Sequence, residues 1–201
     1  MLRCWPAREK ATISNLLKIR FYWVLYREGF TMLDEPVMFN ESTISRDRDQ
    51  FLRELIHELA GVLEETVGLD EAEGFVAMVG NRIGEQMDME YRSASNATVM
   101  SVEQLAAALV DLKRRIQGGF SIEHLDQTRI TLVNTRCPFE RHIEGRTSLC
   151  MMTSNVFGRI AANNTGYARV NLLQTIAKGD SRCRVVIDFD EGPDGREYFG
   201  Q

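Results

Sequence analysis

A single change of hydrophobic period, at Gly118-Gly119, constrains this fold more than any other feature of the chain. Upstream of it, apolar residues return every three or four positions; downstream they alternate. The first rhythm puts one apolar stripe on a helix, and the second turns one face of a strand towards a core. A chain that switches from one to the other folds as helices packed on an antiparallel sheet, an α+β domain.

The upstream half divides into three helices. Phe51, Leu52, Leu55, Ile56, Leu59, Val62 and Leu63 form the inward stripe of the first, which starts near Arg48 and ends at Gly68. Asp70 with Glu73 reads as a capping box for the second, which turns Phe75, Met78, Val79, Ile83 and Met87 inward and runs to about Tyr91. Gly74, Gly80 and Gly84 cost that helix about 1 kcal/mol each, so close packing on a neighbour is expected to compensate. A phosphate loop is excluded because no strand or Gly-Lys-Ser element accompanies them. Ser101 and Gln104 box the third helix, whose inner face is Leu105, Ala108, Leu109, Leu112 and Ile116. Lys113, Arg114 and Arg115 load its last turn, where they are expected to complement the dipole and face solvent rather than form an anion site.

Downstream, residues 120–125 and 130–135 read as a hairpin around Asp126-Gln127-Thr128. A fourth helix is expected over 149–163, then strands over 167–176 and 182–189 joined by Gly179-Asp180. Residues 1–47 therefore form an N-terminal extension and linker, 48–189 the sensory or ligand-binding domain, and 190–201 a loosely held acidic tail. The basic, aromatic stretch 1–31 has three readings: an added helix, a start placed upstream of Met32, or a membrane-surface helix.

A net charge of -5 argues against a general nucleic-acid binder, which carries a basic footprint. No apolar run reaches the length of a transmembrane segment, and no export signal precedes the domain, so a cytoplasmic address is expected. There, cysteines stay reduced and are metal ligands, nucleophiles or buried thiols. Cys137, Cys150 and Cys183 lie at element boundaries, which topology can gather at one end of the sheet. Their Cys-x12-Cys and Cys-x32-Cys spacing lacks the short chelating pair of most structural zinc sites. A metal would take these three thiolates with His142, or an oxygen of Glu140, Glu144 or Asp180, as fourth ligand. Zinc suits such donors, and an iron–sulfur cluster is the alternative. Cys150 as nucleophile with His142 as base is the catalytic reading. Met151, Met152, Phe157 and Tyr167 are candidate walls of a pocket for a small apolar ligand. His57 and His124 read as structural or solvated.

The runs Cys137-Pro138-Phe139, Ser148 to Gly158, Gly166-Tyr167-Ala168 and Ala177-Lys178-Gly179-Asp180 with Cys183 resemble the methanogen output domain family. That family is similar to the 4-vinyl-reductase superfamily, which includes ligand-sensing domains and relates to haem–nitric-oxide-binding domains. The resemblance covers about Phe51 to Phe189 and implies an α+β, often dimeric module that senses a small molecule in bacterial signal transduction. It also implies a separate signalling partner, such as a kinase or regulator. In the aromatic sensors cysteines and a glutamate hold zinc; Cys150 and Cys183 match two of those positions, while the others fall near Leu172 and Thr175, which supply neither thiolate nor carboxylate. The expectation is a non-enzymatic sensory module. A hydrolase- or reductase-type enzyme and an assembly adaptor with structural cysteines are the alternatives.

Overall fold

The computed structural model describes residues 46–201. The extension 1–45, with its three readings and most of the expected linker, lies outside the described residues. Helix α1 spans Arg48–Val67, α2 Leu69–Ala94 and α3 Val102–Arg115. Strands β1 (Phe120–Leu125) and β2 (Arg129–Asn134) follow, then α4 (Cys150–Thr165), β3 (Tyr167–Gln174), β4 (Cys183–Asp188) and β5 (Arg196–Phe199). Short 3-10 turns at Glu140–Ile143, Thr147–Leu149 and Ile176–Lys178 complete the fold. The sheet is antiparallel throughout, in the order β1-β2-β4-β3-β5.

Local chemistry explains most boundaries. Asp47 accepts the Gln50 N–H at 2.8 Å and caps α1. Ser101 and Gln104 make both bonds of the capping box on α3. Gly68 joins α1 to α2 with φ 89°, a backbone region open to glycine. This one-residue joint corrects the expected Asp70–Glu73 capping box. Helix α2 starts already at Leu69, so Asp70 sits inside the first turn, where its charge complements the dipole.

The main core forms where the strand alternation meets α3 and α4. Ile130 and Leu132 of β2 stand opposite Ile187 and Val185 of β4, and Val170 of β3 extends the row. All are buried against Leu105, Leu109, Phe157 and Ile160. A second cluster joins Ala60, Val76, Ile143, Leu149 and Ala177. Met152 is the partly buried side chain that packs against both.

Two expectations change. The inward stripes of α1 and α2 are largely exposed, with Leu59 and Val62 at 59% and 60% and Phe75 and Met78 at 52% and 59%. The buried face of α2 is instead Ala72, Val76, Ala77, Gly80, Gly84 and Asp88. Here α4 comes so close that a Cβ on Gly80 would lie 2.9 Å from Asn155 Cβ, and one on Gly84 2.9 Å from Arg159 Cβ. The glycines thus bury backbone against backbone, as their cost requires, but Gly74 has no such neighbour. The loosely held tail is also corrected, since its end forms β5 beside β3. Tyr198 anchors it, lying flat on Gly158 of α4 with its hydroxyl 2.9 Å from Ser154 Oγ.

Candidate functional site

Cys137 follows β2, Cys150 opens α4 and Cys183 opens β4, where it stands in register with Asn134. The sheet order makes β2 and β4 neighbours, so the three thiols arrive at one end of the sheet, as their boundary positions suggest. All three line one apolar cavity with a volume of about 70 Å³. Phe120, Phe139, Ile143, Leu149, Met152 and Val185 supply much of its wall, so it sits on the seam between the two hydrophobic clusters. Leu172 and Thr175 line it too. Cys150, Leu172 and Thr175 also border a more polar cleft with Glu73, Met151 and Arg196, making a wall shared by both.

Lys113 is the residue that sequence reasoning missed. It lines the cavity with 4% of its surface exposed, whereas its neighbours Arg114 and Arg115 are exposed and pair with Asp111. Its Nζ donates to Thr153 Oγ1 at 2.8 Å and lies 5.0 Å from the Phe157 ring centre and 5.6 Å from that of Phe120. Among the described residues no carboxylate is within salt-bridge distance of it. Burial pushes its pKa down to about 8, partly opposed by Cys137, Cys183 and Cys150. The signal was present in the helical period: Lys113 follows Leu109 by four and Leu105 by eight, on the inner face.

Neither Cys137 nor Cys150 is primed for ionisation. Burial pushes Cys150 up to about 12 despite its place at a helix start, and it raises Cys137 as well. Cys183 Sγ instead accepts the Ile176 N–H at 3.5 Å. The Thr175 hydroxyl, beside Cys150, is buried without a well-formed bond among the described residues.

Several sequence candidates do not join this site. His142 lines a polar cleft with Asp47, Gln50, Arg53 and Glu140, where its carbonyl accepts from His57 Nδ1 at 2.6 Å. It therefore stands with the thiols neither as fourth ligand nor as base. Glu140 pairs with Arg53 at 2.6 Å, and Asp180 accepts the Thr175 N–H at 2.7 Å. Met152 lines the cavity, but Met151 lines the neighbouring cleft. Phe157 is core beneath Lys113, and Tyr167 bonds Glu197 at the far end of β3. Among the described residues no three His, Cys, Asp or Glu side chains form a metal-holding group, and an ammonium stands among the thiols.

No helix among the described residues is long and apolar enough to cross a membrane. The fold is similar to that of a trafficking protein particle complex subunit 3 from Naegleria fowleri, solved covalently bound to palmitic acid. The likeness has a TM-score of 0.53 at 12% identity, covers 71% of this chain and 95% of that one, and concerns the fold alone. No protein of curated function matches. The model of methanogen output domain 1 matches residues 55–188, which include α2 to β4 and all three cavity cysteines. The chain belongs to the methanogen output domain 1 family.

Proposed function

We propose that this chain is a non-enzymatic sensory or regulatory module of signal transduction, which takes a small, mainly apolar molecule at the seam of its two cores. The observation that carries this reading is the apolar cavity at the end of the sheet, walled by Met152, Leu172 and Val185 and edged by the side chains of Cys137, Cys150 and Cys183. Concave apolar walls with few polar groups are the usual form of a small-molecule site. The family's designation as an output domain supports a role in signalling. The structural neighbour, solved covalently bound to palmitic acid, lends this reading support from the fold alone.

The signal would leave through the apolar faces of α1 and α2, which suit a second copy of the chain and then a kinase or regulator in the cytoplasm. The enzyme reading is weaker, because His142 lines a different cleft from Cys150, whose thiol burial holds protonated. A thiolate-held zinc is the second reading, favoured by the convergence of the three cysteines. Metal analysis of anaerobically purified protein separates the two: stoichiometric zinc lost in Cys183→Ser would carry the second.

The test of the first uses N-phenyl-1-naphthylamine, a neutral fluorophore that brightens in apolar surroundings. Saturable binding by the full chain is expected, with loss in Leu172→Trp, which fills the cavity. Absence of binding, or binding unaffected by that substitution, would sink the reading.

A further inference from the structure

The cavity has a chemical asymmetry. Its walls are apolar, yet one side chain in them is an ammonium, buried to 4% exposure and satisfied by a single neutral hydroxyl. Lysines are almost never this buried without an anionic partner. Among the described residues no carboxylate is in reach. The titratable groups facing Lys113 are Cys137, Cys150 and Cys183, and burial keeps Cys137 and Cys150 in the neutral thiol form at neutral pH. The missing partner is therefore not supplied by the walls.

We propose that the ligand of this cavity is an apolar monocarboxylate, whose carboxylate pairs with Lys113 and whose hydrocarbon lies along Met152, Leu172 and Val185. This rests on the cavity being the binding site. An ammonium already desolvated loses little more on meeting a carboxylate, and the charge-assisted bond fixes the ligand's orientation. Thr153, which holds the Nζ, fixes the donor in advance. The volume of about 70 Å³ takes the carboxyl end and a short chain. Ile116 lines the cavity but is 48% exposed, so it marks the mouth through which a longer tail would leave.

The assay is calorimetric titration of the full chain with hexanoate and 1-hexanol, together with the neutral fluorophore. Hexanoate is expected to bind about tenfold or more tightly than hexanol at pH 7. Lys113→Met should erase that preference while keeping the neutral fluorophore. Lys113 loses its proton near pH 8 in the free protein, so hexanoate affinity should be level below that and fall above it, whereas hexanol affinity should not fall. The comparison of acid with alcohol and the pH profile both use the unaltered chain, so they stand even if the variant misfolds. If hexanol and the fluorophore bind and hexanoate shows no advantage, the carboxylate assignment is overturned and the cavity reading survives. If none of the three binds, both fall.

Discussion

Lys113→Met should stabilise the protein in the absence of ligand. Burial lowers the Lys113 pKa from 10.5 to about 8, and each unit is about 1.4 kcal/mol, so holding the ammonium in this cavity costs about 3 kcal/mol at neutral pH. Methionine keeps the length and apolar stem but leaves Thr153 without its bond, which returns about 1 kcal/mol. The net gain is about 2 kcal/mol, or about 4–8 °C in Tm for a domain of this size. The sign of the pH dependence follows from the same shift. Below pH 8 both folded and unfolded chains carry the proton and the whole cost is present. Between 8 and 10.5 the unfolded Lys113 binds more protons than the folded one, so this group alone adds about 1 kcal/mol of stability from pH 8 to 9, and the gap between parent and Lys113→Met narrows by that amount. Above about pH 9 the stability of both proteins should fall, because Cys150 and Tyr198, both raised to about 12, keep protons that the unfolded chain gives up. Urea unfolding of both proteins at pH 7, 8 and 9 measures this. A variant less stable than the parent by 1 kcal/mol or more, or a stability gap between the two that does not narrow from pH 8 to 9, would refute an uncompensated buried ammonium.

Other substitutions probe the frame around the cavity. Gly158→Ala would drive a methyl into the Tyr198 ring and should cost about 1–3 kcal/mol in urea unfolding. Tyr198→Phe strands the buried Ser154 hydroxyl at a cost of about 1 kcal/mol, less than the loss of the ring in Tyr198→Ala. On the exposed helical faces, Leu59→Glu with Val62→Lys should abolish self-association in sedimentation experiments and leave Tm nearly unchanged.

The fold was legible wherever local chemistry decides it. Ser101 with Gln104, the glycine at 68 and the alternation in β2 and β4 each carry their own signal. What misled was the assumption that the larger apolar stripe faces the core. On α2, Gly80 and Gly84 select the buried face because only a small residue permits contact with the α4 backbone, and this leaves Phe75 and Met78 outside. Periodicity gives a stripe but not the partner that covers it. Strand β5 was hidden for a different reason: it has four residues, and one of them, Tyr198, holds it in place. At the site, the boundary positions of the three cysteines anticipated their meeting at one end of the sheet, but not the cavity they line. The protonation of Cys150 was not legible, because the helix-start effect expected for it is outweighed by burial. Lys113 was misassigned by its charge, although its position in the helical repeat placed it inside.

Gly80 and Met152 also suggest how an occupied cavity could be read at the surface. Met152 lines the cavity, and its backbone Cα and carbonyl lie 3.3 and 3.2 Å from where a Cβ on Gly80 would stand. An occupant that moves the first turn of α4 therefore meets α2 with no slack, and the opposite side of α2 carries the exposed Phe75, Met78 and Val79. Spatial contiguity alone does not demonstrate coupling, so the expectation needs an energetic test. Gly80→Ala should separate α2 from α4 by a few tenths of an ångström and weaken probe binding at the cavity, although residue 80 does not line it. Gly74→Ala, in open space on the same helix, is the control and should leave binding unchanged. If the two variants bind the neutral fluorophore equally well, the α2–α4 contact does not carry the signal, and a readout through α2 loses its physical path.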